Sequence, residues 1–432
     1  MKLVIGGGRL IDPSQGVDED LDILIVDGQV AALDRKLAPS YLKKSFDGQF
    51  VDASGLLVTP GLVDIHVHLR EPGYEYRETI LTGTRAALAG GFTSIACMPN
   101  SKPVNDNRAI TEFIRTRAAA HALARVYPIA ALSRGSEGKI LTEFGDLAAA
   151  GAVGVSDDGR PVADSSLFLN ALEYASSYGL TVISHCEDTW LTEGSCINEG
   201  IISARTGLAG APSIGEDIMV ARDILIAEYT KKPVHLAHVS TAGAVRLIRE
   251  AKARGVPVTA ETAPHYFSLT EEAVQEFSPQ ARVNPPLRTA ADVAAIKEAL
   301  RDGTLDAIAS DHAPHGQVDK EVEFEQAASG ISGLETSLGL SLKLVEEGTL
   351  TLTEMVSLMT CRPARILNLP AGSLALGACG DLNRLWTVDC ARFLSLGKNS
   401  PFQGKTLRGK AVVTLVAGEI KWRDEAALAA IK

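Results

Sequence analysis

The chain has 432 residues, 46% of them hydrophobic, enough to bury a large core and to divide between one large domain and a smaller one. Its 42 basic and 53 acidic residues leave a formal net charge of −11, which favours solubility and gives no overall attraction to phosphate backbones or anionic lipid. Nucleic acid is therefore not an expected partner. The first residues, MKLVIGGGRLIDPSQ, hold a short apolar stretch broken by three glycines, so no signal-peptide core is expected there. No run of about eighteen apolar residues follows anywhere, and no membrane span is expected. Residues 1–58 read as short strands with turn signals, as in ILIVDGQVAAL and SFDGQFVDASG.

From Gly61 onward, short β-rich apolar runs alternate with longer segments of helical period. The runs are LVDIHVHL, TSIACMPN, RVYPIAALS, AVGVSDD, LTVISHCED, PVHLAHVS, VPVTAETAPH and LDAIASDHAPH. Eight βα units predict an α/β fold, a closed (β/α)8 TIM-type barrel over residues 59–368, in preference to an open doubly wound sheet. Segments such as ETILTGTRAALAG and GAVRLIREAKARG space their apolar residues by three and four and carry a glycine near the end that suits a helix stop. Residues 369–432 return to short strands, as in AVVTLVAGEIKW, so the two ends are expected to cover each other's apolar faces as one small composite β-sandwich domain. Two connections are long for a compact domain: TWLTEGSCINEGIISARTGLAGAPS after the fifth strand and HGQVDKEVEFEQAASGIS after the eighth. Either could be a binding loop or a surface excursion. The six cysteines include no C-x-x-C pair, and a chain this long needs no disulfide scaffold, so reduced thiols and a cytoplasmic location are expected.

In such a barrel, reactive groups gather at the carboxyl ends of the strands, because the interior below is packed solid. Here the first strand ends in His66 and His68, the second in Asn100, the fourth in Asp157 and Asp158, the fifth in His185, the sixth in His238 and the eighth in Asp311. Histidines two apart on a strand project to one side and make a two-toothed ligand. A lone strand-end histidine is commonly a hydrogen-bonded structural residue, and His235 and His265, the latter placed in a loop turn APHY, are read that way. Four histidines and two aspartates at equivalent strand ends are different: unligated, each buried polar group would cost about 1–3 kcal/mol. Imidazole with carboxylate suits zinc or another first-row divalent ion. Six ligands exceed one tetrahedral site and fit two ions bridged by a carboxylate, an arrangement that can activate water at neutral pH. Alternation alone does not separate Asp157 from Asp158. Arg70, two residues past His68 and on its face if the strand continues, beside two cations calls for an anion between them; its fork matches a carboxylate.

DIHVHLREPG, MPN, SDDG, SHCED, HLAHVST, RVNPPLR and SDHAPH, in that order, resemble bacterial dihydroorotases of the amidohydrolase superfamily across essentially the whole chain. The resemblance implies reversible cyclisation of N-carbamoyl-L-aspartate to L-dihydroorotate in pyrimidine biosynthesis. It implies two zinc ions per subunit, with His66 and His68 on one, His185 and His238 on the other, Asp158 bridging and Asp311 on the first. It also implies a hydroxide bridging the zincs as nucleophile and Asp311 as general acid and base. Arg70, Asn100, Asn284 and His315, together with His68, match positions that hold the substrate, and Ser329 and Gly330 match a further contact. Relatives often carry phenylalanine where this chain has Ser329, so a less apolar loop is expected. GDLNRLWTVD also departs from the usual apolar strand, a difference expected to touch only the small domain. A homo-oligomer is the expected state, and aspartate transcarbamoylase is a candidate partner. Competing readings are a hydantoinase, dihydropyrimidinase or allantoinase, with less use for Arg70, and a non-catalytic scaffold, which would be expected to have lost ligands.

Overall fold

The computed structural model describes residues 1–35, 37, 47–374 and 377–425, with 377–384 described by their backbone. Residues 45 and 46 of the SFDGQFVDASG run and residues 426–432 of the C-terminal region, all counted above toward the small domain, lie outside the described residues. The eight apolar runs form eight parallel strands: Leu62–Val67, Phe92–Cys97, Arg125–Ala130, Gly154–Val155, Thr181–Ser184, Val234–Leu236, Val258–Thr262 and Ala307–Ile308. They pair in chain order. The ring closes where Val67 bridges His312 in parallel and the His68 amide donates to the His312 carbonyl at 2.8 Å. The fold is thus the expected α/β barrel rather than an open sheet.

Alternation along the strands sorts their side chains into two layers. Ile95 and Cys97 pack in the cluster shared with the helices, whereas Ala96 and Met98 join Ile129, Ile183, Ala237 and Ala307 in a second cluster drawn from several strands. The helices between strands start and stop on local chemistry. Thr79 caps Ile80–Ala89 through a reciprocal pair with Thr82, and Gly90 ends it. Thr241 caps Ala242–Ala253, and Gly255 at φ +76° turns the chain back. The connection after the fifth strand holds two short helices, Thr189–Thr192 and Ile201–Thr206, and a parallel strand pair, Ile197–Asn198 with Gly210–Ala211. His265, expected in a loop turn, instead lies in the helix Pro264–Ser268, because a proline at its first position presets the helical φ.

The chain ends share one sheet. Leu57–Pro60 pairs with Gly377–Thr387, which pairs with Thr406–Val416, in a six-stranded sheet that also takes Arg9–Asp12, Val17–Asp20 and Glu419–Arg423. A four-stranded sheet of N-terminal strands lies against it, and Leu3, Ile5, Ile23 and Ile25 of one bury with Leu10, Val58, Val412 and Leu415 of the other. The GDLNRLWTVD stretch runs through Gly377–Thr387 with a register shift between Asp381 and Leu385. Thr414 ties this sheet to the barrel by donating to the Leu88 carbonyl at 2.7 Å. Leu10 is fully buried in that shared core, so Leu10→Ala is expected to lower stability by about 2–5 kcal/mol. A shifted denaturant midpoint with unchanged turnover per folded molecule is the result that checks it.

Candidate metal centre and substrate pocket

Five strand ends deliver buried side chains to one point on the barrel rim. The Asp158 carboxylate stands at the centre: Oδ1 lies 3.4 Å from His66 Nε2 and 3.5 Å from both His185 Nδ1 and His238 Nε2, and Oδ2 lies 3.6 Å from His68 Nε2. Asp311 Oδ1 lies 3.7 Å from His66 Nε2 and 3.5 Å from His68 Nε2. Two triads could each hold a metal ion, His66–His68–Asp158 and Asp158–His185–His238. These separations fit a donor set: ligands at about 2.0–2.1 Å from a tetrahedral ion stand about 3.3–3.4 Å from each other. Among the described residues His66 Nε2 has no hydrogen-bond partner although it is fully buried, an uncommon arrangement for a nitrogen that has only protein around it. Asp157 is not part of the cluster. Its carboxylate accepts from the Ser133 amide at 3.0 Å and from the Ser133 hydroxyl.

A further layer of carboxylates orients the rings, each with a nitrogen left for the centre. His66 Nδ1 donates to Glu261 Oε1 at 2.8 Å, and His185 Nε2 donates to Glu187 Oε2 at 2.9 Å. Burial alone would raise the Glu261 carboxyl, yet the His235 and His66 rings beside it draw it down to about 2. Burial likewise opposes Glu187, and the His185 ring brings it to about 2. His235 bonds Thr259 Oγ1 at 2.9 Å and lies 3.3 Å from Glu261 behind the rim, a supporting place. Neither glutamate was singled out from the sequence. The signals were present: Glu187 lies two residues past His185, and Glu261 interrupts the apolar run of the seventh strand.

Three residues of the rim have left-handed backbone: Arg70 at φ +59°, His238 at +35° and Asp311 at +46°. The first strand ends at Val67, so Arg70 reaches the site by a turn and not by strand alternation. Above the cluster opens a cavity of ≈ 390 Å³ lined by His68, Arg70, Asn100, Asp158, His185, His238, Asn284, Asp311, His315, Ser329 and Gly330, with His66 behind it. Arg70 is part-buried, its Nε donating to the Pro314 carbonyl at 3.3 Å; burial, then Arg77, brings its guanidinium down to about 10, still protonated at neutral pH. Burial and the charges of Arg70 and Lys320 hold the His315 ring down to about 2, hence neutral, with Nε2 donating to the Ser329 carbonyl at 2.8 Å. Asn284 donates to Glu187 at 3.0 Å and Asn100 to the Asp158 carbonyl at 2.8 Å. Gly330 uses both backbone groups within the protein, its amide to Arg282 and its carbonyl to Asn399. Its φ of +141°, with Ala313 2.5 Å from a built Cβ, admits only glycine. Arg282 and Cys196 also line the cavity and were not expected there.

Comparison with known proteins agrees with this geometry. A family model described as Dihydro-orotase-like matches residues 55–244. The chain is 56% identical to a dihydroorotase of Syntrophus aciditrophicus over 98% of its own length and 100% of that protein's. It is 53% identical to a dihydroorotase of Geobacter metallireducens, again over 98% and 100%. Among solved structures it is similar to an L-hydantoinase (dihydropyrimidinase) from Arthrobacter aurescens, with a TM-score of 0.85 and 26% identity, covering 97% of this chain and 95% of that one. A dihydropyrimidinase from Brevibacillus agri, at 23% identity and TM-score 0.84, covering 98% of this chain and 96% of that one, shares the fold. Such identity over the full length, on a chain whose strand ends gather a metal-binding cluster, means that the chain belongs to the dihydroorotase family.

Proposed function

We propose that the chain is a dihydroorotase that interconverts N-carbamoyl-L-aspartate and L-dihydroorotate in pyrimidine biosynthesis, working with two zinc ions per subunit. The observation that carries this reading is Arg70, a part-buried cation lining the cavity that opens onto an intact cluster of four histidines and two aspartates. His66, His68 and Asp311 would hold one ion and His185 and His238 the other, with Asp158 shared. When bound, such ions supply activated water and Lewis acidity toward a carbonyl. Hydrolysis adds water across the ring amide: a new C–O bond forms at the carbonyl carbon and the C–N bond breaks. In this reading Asp311 takes the proton lost by water and returns it to the departing nitrogen. Arg70 grips the ring carboxylate through its fork, and His68, Asn100, Asn284, His315, Ser329 and Gly330 complete the substrate contacts. The same reading carries a cytoplasmic homo-oligomer with aspartate transcarbamoylase as a candidate partner, and domain limits at 1–58, 59–368 and 369–432.

Three measurements test it. Purified protein should contain two zinc ions per chain; chelation should abolish dihydroorotate hydrolysis and added zinc should restore it, whereas full activity without metal excludes the reading. Asp311→Asn should retain comparable zinc and lose several orders of magnitude in turnover, about 10²–10⁴-fold from proton transfer alone; near-normal rates would remove it as the shuttle. Arg70→Met should raise KM for dihydroorotate on the order of 100-fold, the worth of two charge-assisted hydrogen bonds. A hydantoinase acting on rings without a carboxylate would be little changed by that substitution.

A further inference from the structure

The connection between strands Gly377–Thr387 and Thr406–Val416 leaves the terminal sheet and crosses to the barrel rim. It is pinned on the way. The Leu394 and Ser395 amides donate to Glu335 Oε1 at 2.7 and 3.2 Å, and the Ser395 hydroxyl donates to Glu78. At the rim, Asn399 enters the loop that follows the eighth strand. Its Oδ1 accepts from the His315 amide at 2.9 Å and from Ser332 Oγ at 3.0 Å, and its Nδ2 donates to the Ala313 carbonyl at 3.1 Å and the Gly330 carbonyl at 2.9 Å. The Ser332 amide donates to the Asn399 carbonyl at 2.7 Å.

Asn399 is buried and uses two donor and two acceptor positions, the full set of its amide bonds. All four go to the two limbs of one loop, residues 313–315 and 330–332, and both limbs carry cavity-lining residues. Gly397 adds close packing, since a Cβ there would stand 2.5 Å from Pro314 Cβ and 2.8 Å from the His315 nitrogen. We infer that Asn399 is a positioning residue for the substrate: it clamps the base of the loop so that His315, whose ring lies 3.4 Å from the Arg70 guanidinium, and Gly330 keep their places at the cavity wall beside Arg70. This rests on the dihydroorotase reading. The small domain thereby has a part in substrate binding, through a residue 84 positions from His315 in sequence.

The clamp predicts an effect on binding with little on chemistry, because Asn399 touches neither the metal cluster nor Asp311. Asn399→Ala, assayed with L-dihydroorotate and counted for zinc, should raise KM about tenfold or more with kcat within about threefold and zinc unchanged. Ser332→Ala removes one donor to the same amide and keeps the rest; it should shift KM in the same direction by about two- to threefold, and it decides the matter if the first variant is insoluble. Wild-type KM in either folded variant, or a fall in kcat or zinc without a rise in KM, overturns the inference. Wild-type protein that fails to turn over dihydroorotate would instead sink the functional reading on which it rests.

Discussion

Everything at the rim is arranged around one buried carboxylate facing four imidazoles. Burial would keep the Asp158 carboxyl protonated, but the surrounding histidines, His66 foremost, hold it well below the usual carboxylate range. Apart from a 2.8 Å contact between His185 Nδ1 and His238 Nε2, the imidazoles stand 3.4–3.7 Å from the oxygens of Asp158 and Asp311, longer than the 2.7–3.2 Å of good hydrogen bonds, so the two carboxylates are poorly satisfied by the rings alone. Divalent cations satisfy them all at once. The cluster also depends on topology. His66 and His68 come from the first strand and Asp311 follows the eighth, strands that meet only because the ring closes at Val67 and His312. An open doubly wound sheet would leave these residues on opposite edges. Closure is thus a requirement of the chemistry as well as of the fold.

The cluster is held at a cost in backbone strain. Three non-glycine residues with positive φ, Arg70, His238 and Asp311, each cost about 1–3 kcal/mol in isolation. Such conformations persist where the surroundings over-determine them, and here the backbone is bracketed on each side. The Val239 amide donates to the Glu261 backbone carbonyl, the Ala313 amide to the Ile331 carbonyl and the Ser310 amide to the Asp64 carboxylate. The buried carboxylates divide the work: Glu261 and Glu187 bond the His66 and His185 rings, and Asp64 holds the first and eighth strand ends together by accepting from the His66 and Ser310 amides.

What could be read from the sequence follows from what is local. Strands, helix stops and the alternation that brings His66 and His68 to one side are short-range properties, and the chain displays them openly. Asp157 and Asp158 were not separable by alternation because the fourth strand is only two residues long and ends before them. Arg70 was placed by extending a strand that stops three residues earlier; a turn of positive φ does the same work by other means. Asn399 left no signal at all. Its partners lie 67–86 residues away, and nothing in SLGKNSPF distinguishes an amide that braces a loop from one that faces water. Hydrogen bonds that cross domains are visible only once the topology is known.

The allocation of charge inside the cavity bears on what it accepts. Among the described residues Glu187 is the one glutamate lining the cavity, and its carboxylate is already engaged by His185, Thr192 and Asn284, so it presents little free negative charge to a ligand. Asp158 and Asp311 face the imidazoles. His315 is neutral and turned toward the Ser329 carbonyl. Among lining residues this leaves Arg70 and Arg282 as the net positive charge at the mouth, across from a cluster proposed to hold two more cations. A neutral ring would sit between like charges and screen none of them. A ring bearing a carboxylate neutralises Arg70 while its amide carbonyl meets the cluster, and burial makes that pairing stronger than it would be in water. Arg70 stays charged at neutral pH because burial and Arg77 bring its guanidinium down only to about 10, with the carboxylates of Asp311, Asp158 and Asp319 acting the other way.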